Sequence, residues 1–211
     1  MKIQKFTFNP LQENTYILFD ETNEAILIDP GCYEEWEKNE ISEFVDSKNL
    51  KLKLLLNTHC HVDHVLGNFW VSNTFHLPLS IYPIELETLR AVKVYAPVYG
   101  FAQYQELMPE SFFNEHDIIK FGNTQLEIIH VPGHSPGHVV FINHAQKEII
   151  AGDVLFHRSI GRTDLPGGNH TSLITNIQAK LFKLDDNYKV FPGHGPMTTI
   201  GDEKKYNPFL N

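Results

Sequence analysis

Short apolar runs separated by turn residues open the chain. Ile3 to Phe8, Thr15 to Phe19 and Ala25 to Asp29 each read as a strand. The Asp29-Pro30-Gly31 turn then leads to a helix expected over Glu34 to Ser47, with Trp36, Ile41, Phe44 and Val45 as its apolar positions. A further strand, Leu52 to Leu56, runs straight into Asn57-Thr58-His59, and helical sequence resumes around Val65 to Phe75.

Residues 84–116 break this rhythm. A helical part, Glu85 to Val94, gives way to aromatic and proline-bearing sequence with Tyr95, Pro97, Tyr99, Phe101, Tyr104, Pro109, Phe112 and Phe113. This reads as a helical insertion or long loop whose aromatics either line a substrate pocket or pack the edge of the core. Strands return at Gln125 to Val131, His138 to Asn143 and Glu148 to Ala151. A polar loop from His157 to His170 precedes a helix over Ser172 to Leu184 and a last strand, Lys189 to Phe191. There is no repeat period and no low-complexity linker. A single α/β domain over residues 1–211 fits this order.

Composition narrows the function classes. With 42% hydrophobic and 20% charged residues, the chain has the make-up of an ordinary globular protein. No apolar run approaches the ~20 residues that span a bilayer. The start, Met1 to Pro10, lacks the apolar stretch of a signal peptide, so a cytoplasmic location without membrane partners is expected. A net charge of -9 and the lack of a basic stripe argue against nucleic acid. Cys32 and Cys60 are too few for a disulfide framework and are expected as thiols. Twelve histidines are the unusual feature.

Their placement carries the chemistry. Thr58-His59-Cys60-His61-Val62-Asp63-His64 packs three imidazoles and a carboxylate behind a strand. The two-residue strand period lets His59 and His61 point one way and turns Cys60 the other. A turn into the following helix then aims Asp63 and His64 at a second point. Imidazole and carboxylate are the donors that borderline ions such as zinc accept. Three further residues stand at the ends of later strands: His134 in Pro132-Gly133-His134, Asp153 after Ala151-Gly152, and His194 in Pro192-Gly193-His194-Gly195. Sites collect at the C-terminal ends of strands in α/β folds. His138 reads as a supporting hydrogen-bond or packing residue. Asp29 reads as a turn residue or an orienting carboxylate.

The segment His59-Cys60-His61-Val62-Asp63-His64 resembles the HxHxDH signature of metallo-β-lactamase-fold hydrolases. Gly133-His134-Ser135-Pro136-Gly137-His138, Ala151-Gly152-Asp153 and Pro192-Gly193-His194-Gly195 match the remaining motifs in order. Within that superfamily the chain is most similar to the glyoxalase II branch in a short form. Ser159 to Gly168 and Thr198 to Leu210 carry that likeness. The resemblance implies an αββα sandwich with the site along one edge of its two sheets. By motif, His59, His61 and His134 hold one metal, Asp63, His64 and His194 hold the other, and Asp153 bridges both. Two divalent ions are implied, zinc first, with iron and manganese as other takers.

The activity implied is hydrolysis of a small thioester of the S-lactoylglutathione kind, by a hydroxide bridging the two ions. Asp63 is placed to orient that hydroxide. Arg162, in Gly161-Arg162-Thr163-Asp164, either meets a substrate carboxylate or makes a surface salt bridge. Full-length glyoxalase II enzymes carry a C-terminal helical region that helps hold glutathione, and the sequence up to Asn211 does not show it. The competing expectation is a persulfide dioxygenase with one iron on His59, His134 and Asp153. Oligomeric state is not legible.

Overall fold

The computed structural model describes residues 1–210. Its packing divides the chain into two compact units, residues 1–113 with 120–125, and residues 114–119 with 126–210.

The first unit is built on a six-stranded sheet in the order β1 to β6. β1 (Lys2–Phe8), β2 (Glu13–Phe19) and β3 (Glu24–Ile28) form an antiparallel meander. β4 (Lys51–Leu56), β5 (Leu79–Ile81) and β6 (Ser111–Phe112) then add in parallel. Strands covered on both faces need apolar side chains on both, and Ala25, Ile26, Leu27 and Ile28 are all fully buried. In the β3–β4 pair Ile28 lies opposite Leu56, so Asp29 and Asn57 leave adjacent strands side by side.

Helix α1 (Glu35–Ser47) starts where the buried Glu37 carboxylate accepts from the main-chain N–H groups of Asn9 (2.6 Å), Tyr33 (2.6 Å) and Glu34 (2.9 Å). The helix expected over 65–75 is two helices, α2 (Val62–Val65) and α3 (Asn68–Phe75). Gly67 separates them: its N–H donates to the Pro30 carbonyl at 2.7 Å, and a side chain there would collide with Cys32 Sγ. Within 84–116, α4 (Leu86–Tyr95) is followed by a 3₁₀ turn over Ala96–Tyr99. The aromatics of this stretch divide. Phe101 and Phe113 are buried and Tyr95 and Tyr104 pack on the first unit's core, while Tyr99 and Phe112 remain exposed.

The second sheet runs β14-β13-β10-β9-β8-β7. Its strands are β7 (Ile118–Phe121), β8 (Thr124–His130), β9 (Val139–Asn143), β10 (Glu148–Gly152), β13 (Lys189–Pro192) and β14 (Thr198–Thr199). β11 (Leu155–Phe156) and β12 (Ser159–Ile160) make a small hairpin. β10 and β13 are parallel with Gly152 opposite Pro192, so Asp153 and His194 also leave neighbouring strand ends. Helix α5 (His170–Asn176) begins two residues before the expected start because Asn169 caps it, its Oδ1 accepting from Ser172 N at 2.9 Å. It continues as a π-helical turn over Ile177–Leu181, and α6 (Ile200–Tyr206) closes the described chain.

Candidate metal centre

The first unit contributes four of the expected ligands from the β4–α2 connection. His59, His61, Asp63 and His64 are all buried, with the His59 ring 4.8 Å from the His61 ring and 4.1 Å from the His64 ring. Cys60, between them, turns away into the hydrophobic core.

Hydrogen bonds set the orientation of these imidazoles. Asp29 accepts from Thr58 N (2.7 Å) and Thr58 Oγ1 (2.6 Å), and its Oδ2 lies 3.1 Å from His64 Nδ1. A hydroxyl has one proton, and Thr58 spends it on the carboxylate. Thr58 Oγ1 therefore accepts from His59 Nδ1, 3.1 Å away, which leaves the lone pair of His59 on Nε2. By the same reasoning His64 donates from Nδ1 to Asp29 and presents Nε2, which lies 3.9 Å from Asp63 Oδ2. The donor atoms of Asp29, His59 and His64 lie within 4.8 Å of one another, close enough for a shared ion. The carboxylate of Asp29 is nevertheless occupied by Thr58 and His64, so it orients ligands and is not itself one.

A second buried carboxyl stands behind this group. Glu13 accepts from Thr15 Oγ1 at 2.8 Å, and its Oε1 is 3.9 Å from His64 Nδ1. Burial drives its pKa well above the ordinary range; His64 opposes the shift, and Asp29 adds to it. Sequence reasoning passed over Glu13 because a glutamate opening a strand carries no motif. Gly31 makes the close approach feasible, since a side chain there would strike Glu13, Asn9 and the Asp63 carbonyl.

The second unit supplies its donors from three separate segments. His134 follows Gly133, whose φ of 141° and contact with the Leu173 backbone exclude a side chain. His134 Nδ1 is 2.7 Å from the Arg162 carbonyl, which can only accept, so Nδ1 carries the proton and Nε2 the lone pair. Asp153 Oδ2 lies 3.5 Å from His134 Nε2 and 3.5 Å from His194 Nε2. Fully buried His138 accepts from Asp153 N at 2.9 Å, the supporting role expected of it. A side chain on Gly161 would strike the Asp153 carbonyl.

A carboxylate oxygen facing an imidazole lone pair at this distance is an unfavourable pairing unless a cation joins them. A tetrahedral ion with bonds near 2.1 Å spans its donors by roughly 3.4 Å, close to what Asp153 shows. The donors are all imidazole nitrogens or carboxylate oxygens, with no thiolate among them. The residues present thus fit a divalent metal. The Arg162 guanidinium makes a two-point pair with Asp164, at 2.7 Å for each bond, and both side chains are exposed. That pairing holds the Asp164 carboxyl at about 2.

Comparison with known proteins agrees with this geometry. The model of the metallo-β-lactamase superfamily matches residues 8–194. Hydroxyacylglutathione hydrolase GloC of Haemophilus influenzae is 36% identical over 213 residues, covering 100% of this chain and 99% of that protein. Among solved structures, the BLEG-1 B3 metallo-β-lactamase superposes with a TM-score of 0.88 at 31% identity, covering 100% of both chains. TTHA1623, in a di-iron-bound form, gives 0.87 at 35% identity, covering 98% of this chain and 100% of the other. The chain belongs to the metallo-β-lactamase superfamily and has its α/β fold, as its histidine motifs implied.

Proposed function

We propose that this hydrolase cleaves small thioesters of the S-lactoylglutathione type, using two divalent ions held by His59, His61, Asp63, His64, His134, Asp153 and His194. The observation that carries the reading is Asp153, one of whose oxygens is equally close to two imidazoles contributed by different segments. A carboxylate shared in this way is what a two-ion centre needs to offset repulsion between dications. The similarity to GloC along nearly its whole length supports the thioester substrate.

Zinc is the first candidate, with iron or manganese as alternatives, and such ions would supply a hydroxide nucleophile at neutral pH and polarise the thioester carbonyl. The chain's own residues do the rest. Asp29 and Thr58 fix the rings of His59 and His64, and the Arg162 carbonyl fixes His134. Asp63, beside His64, is proposed to orient the attacking oxygen. Arg162 is proposed to meet a substrate carboxylate by exchanging Asp164 for it, a planar two-point geometry it already displays. The proposed setting is the cytoplasm, with small-molecule partners and neither nucleic acid nor membrane. Among the described residues no helix is long and apolar enough to cross a bilayer.

The test is hydrolysis of S-D-lactoylglutathione by metal-loaded protein, with His59→Ala as control. Turnover lost in the variant is the expected result. Oxygen uptake with glutathione persulfide, or cleavage of a chromogenic β-lactam, without thioester hydrolysis would overturn the reading.

A further inference from the structure

We propose that Glu85 is a positioning residue for the metal centre, fixing the chain between His59 and His61 by gripping the Cys60 N–H. The inference rests on the two-ion reading above, in which both histidines are ligands.

The first sheet brings Glu85 to that place. β4 and β5 run parallel, with Leu55 opposite Leu79 and Leu56 opposite Ser80. The chain beyond each strand therefore leaves the sheet at the same edge. β4 leads to His59-Cys60-His61, and β5 leads to a 3₁₀ turn over Pro83–Glu85 that opens α4. There the Glu85 carboxylate accepts from Cys60 N at 2.8 Å.

Packing alone does not account for this glutamate. α4 is anchored by Leu89 and Val92, both fully buried, and Glu85 shares their stripe four residues earlier at 1% exposure. Glu87, by contrast, is exposed and pairs with Arg90. A carboxylate in a buried position costs free energy unless hydrogen bonds offset it. Although Glu85 stands at the N-terminus of α4, it makes no capping bond to that helix. It gives an oxygen instead to the residue that separates two candidate ligands. Cys60 has its side chain in the hydrophobic core, so packing holds it on one side and Glu85 on the other. The rings of His59 and His61, perpendicular and 4.8 Å apart, project from the two residues flanking it. Thr58 orients the His59 ring, and Glu85 sets the main chain from which both rings project.

The test separates reach from charge. Glu85→Gln keeps an oxygen that accepts from the Cys60 N–H but lacks the charge, whereas Glu85→Asp keeps the charge and falls one methylene short. Zinc affinity is read by competition with a chromophoric chelator, and the ligand field by visible absorption of cobalt(II)-loaded protein. Glu85→Asp and Glu85→Ala are expected to weaken zinc by about 10- to 100-fold and to shift the cobalt bands. Glu85→Gln is expected to lose less than about tenfold, with its bands unshifted. Wild-type zinc affinity and cobalt bands in Glu85→Asp, or a Glu85→Gln loss as large as that of Glu85→Ala, overturn the proposal. So does an equal drop in the melting temperature of metal-free Glu85→Asp and Glu85→Gln with unmoved cobalt bands, the signature of a purely structural carboxylate. Wild-type protein that takes up no zinc or cobalt overturns the two-ion reading and this inference with it.

Discussion

The two units deliver their donors by different means. In the first, four candidate ligands lie within the six residues His59 to His64 and are steered by side chains, chiefly Asp29 and Thr58. In the second, His134, Asp153 and His194 come from segments far apart in sequence. They are steered mostly through the main chain: the Arg162 carbonyl holds His134, Asp153 N donates to His138, and Gly193 N donates to the Gly152 carbonyl at 2.7 Å. Both units exploit a parallel strand pair whose C-terminal ends emerge together. The contrast teaches that a clustered motif is vulnerable at its buttressing side chains, whereas a dispersed one is vulnerable at the glycines that let its loops approach.

The largest effect should fall on the dispersed half. Asp153→Ala is expected to reduce hydrolysis by more than the roughly 100-fold typical of outer partners and to lower the bound metal count. A variant with wild-type turnover would break the bridging assignment. Next comes Asp29→Ala, expected to weaken metal affinity and turnover by about 10- to 100-fold, measured by chelator competition, while the fold persists. Gly161→Ala puts a methyl against the Asp153 carbonyl, and about tenfold weaker metal binding is expected, near the lower end of that range. Normal metal binding in this variant would show that main-chain steering contributes little.

A smaller effect concerns stability. Asp20 accepts from Thr22 N, Asn123 N and Thr124 Oγ1, tying residues 120–125 into the first unit. These bonds, working against burial, bring its pKa down from 3.8 to about 2. A depressed carboxyl stabilises the fold above the unfolded pKa and loses that contribution as pH falls through the folded one. Asp20→Ala should therefore cost about 1–2 kcal/mol at pH 7 and flatten the loss of stability between pH 4 and 2, read by thermal melts. Arg162→Ala should have the least influence. With its guanidinium on Asp164 in an exposed pair, its loss should leave the melting temperature essentially unchanged, while a roughly tenfold rise in KM at constant kcat would show that it meets substrate.

The clustered half was the more legible in the sequence. His59 to His64 announce themselves by density, and Cys60 does turn away from its neighbours, although it lies beyond the end of β4 at Leu56. The long apolar strands were readable for the same reason, within a residue or two of their ends. Elements held mainly by tertiary contacts were not. β5, Leu79–Ile81, is too short to display alternation. Helix α6, Ile200–Tyr206, has few apolar positions and depends on Thr199 capping Asp202 N and on buried Glu203, which accepts from Thr198 Oγ1 and Arg158 N. The break at Gly67 depends on Pro30 and Cys32, distant in sequence. Glu13 was invisible because what raises its pKa, burial first and the neighbouring carboxylates after it, exists only once the chain has folded.

The inward turn of Cys60 has a further consequence. Cys60 and Cys32 are both buried as thiols, and burial pushes both well away from ionising. Peroxide and alkylating agents that act on exposed thiolates find no thiol handle here. With zinc on the nitrogen and oxygen donors proposed at its centre, the hydrolase should keep working through thiol oxidation that disables thiol-dependent enzymes.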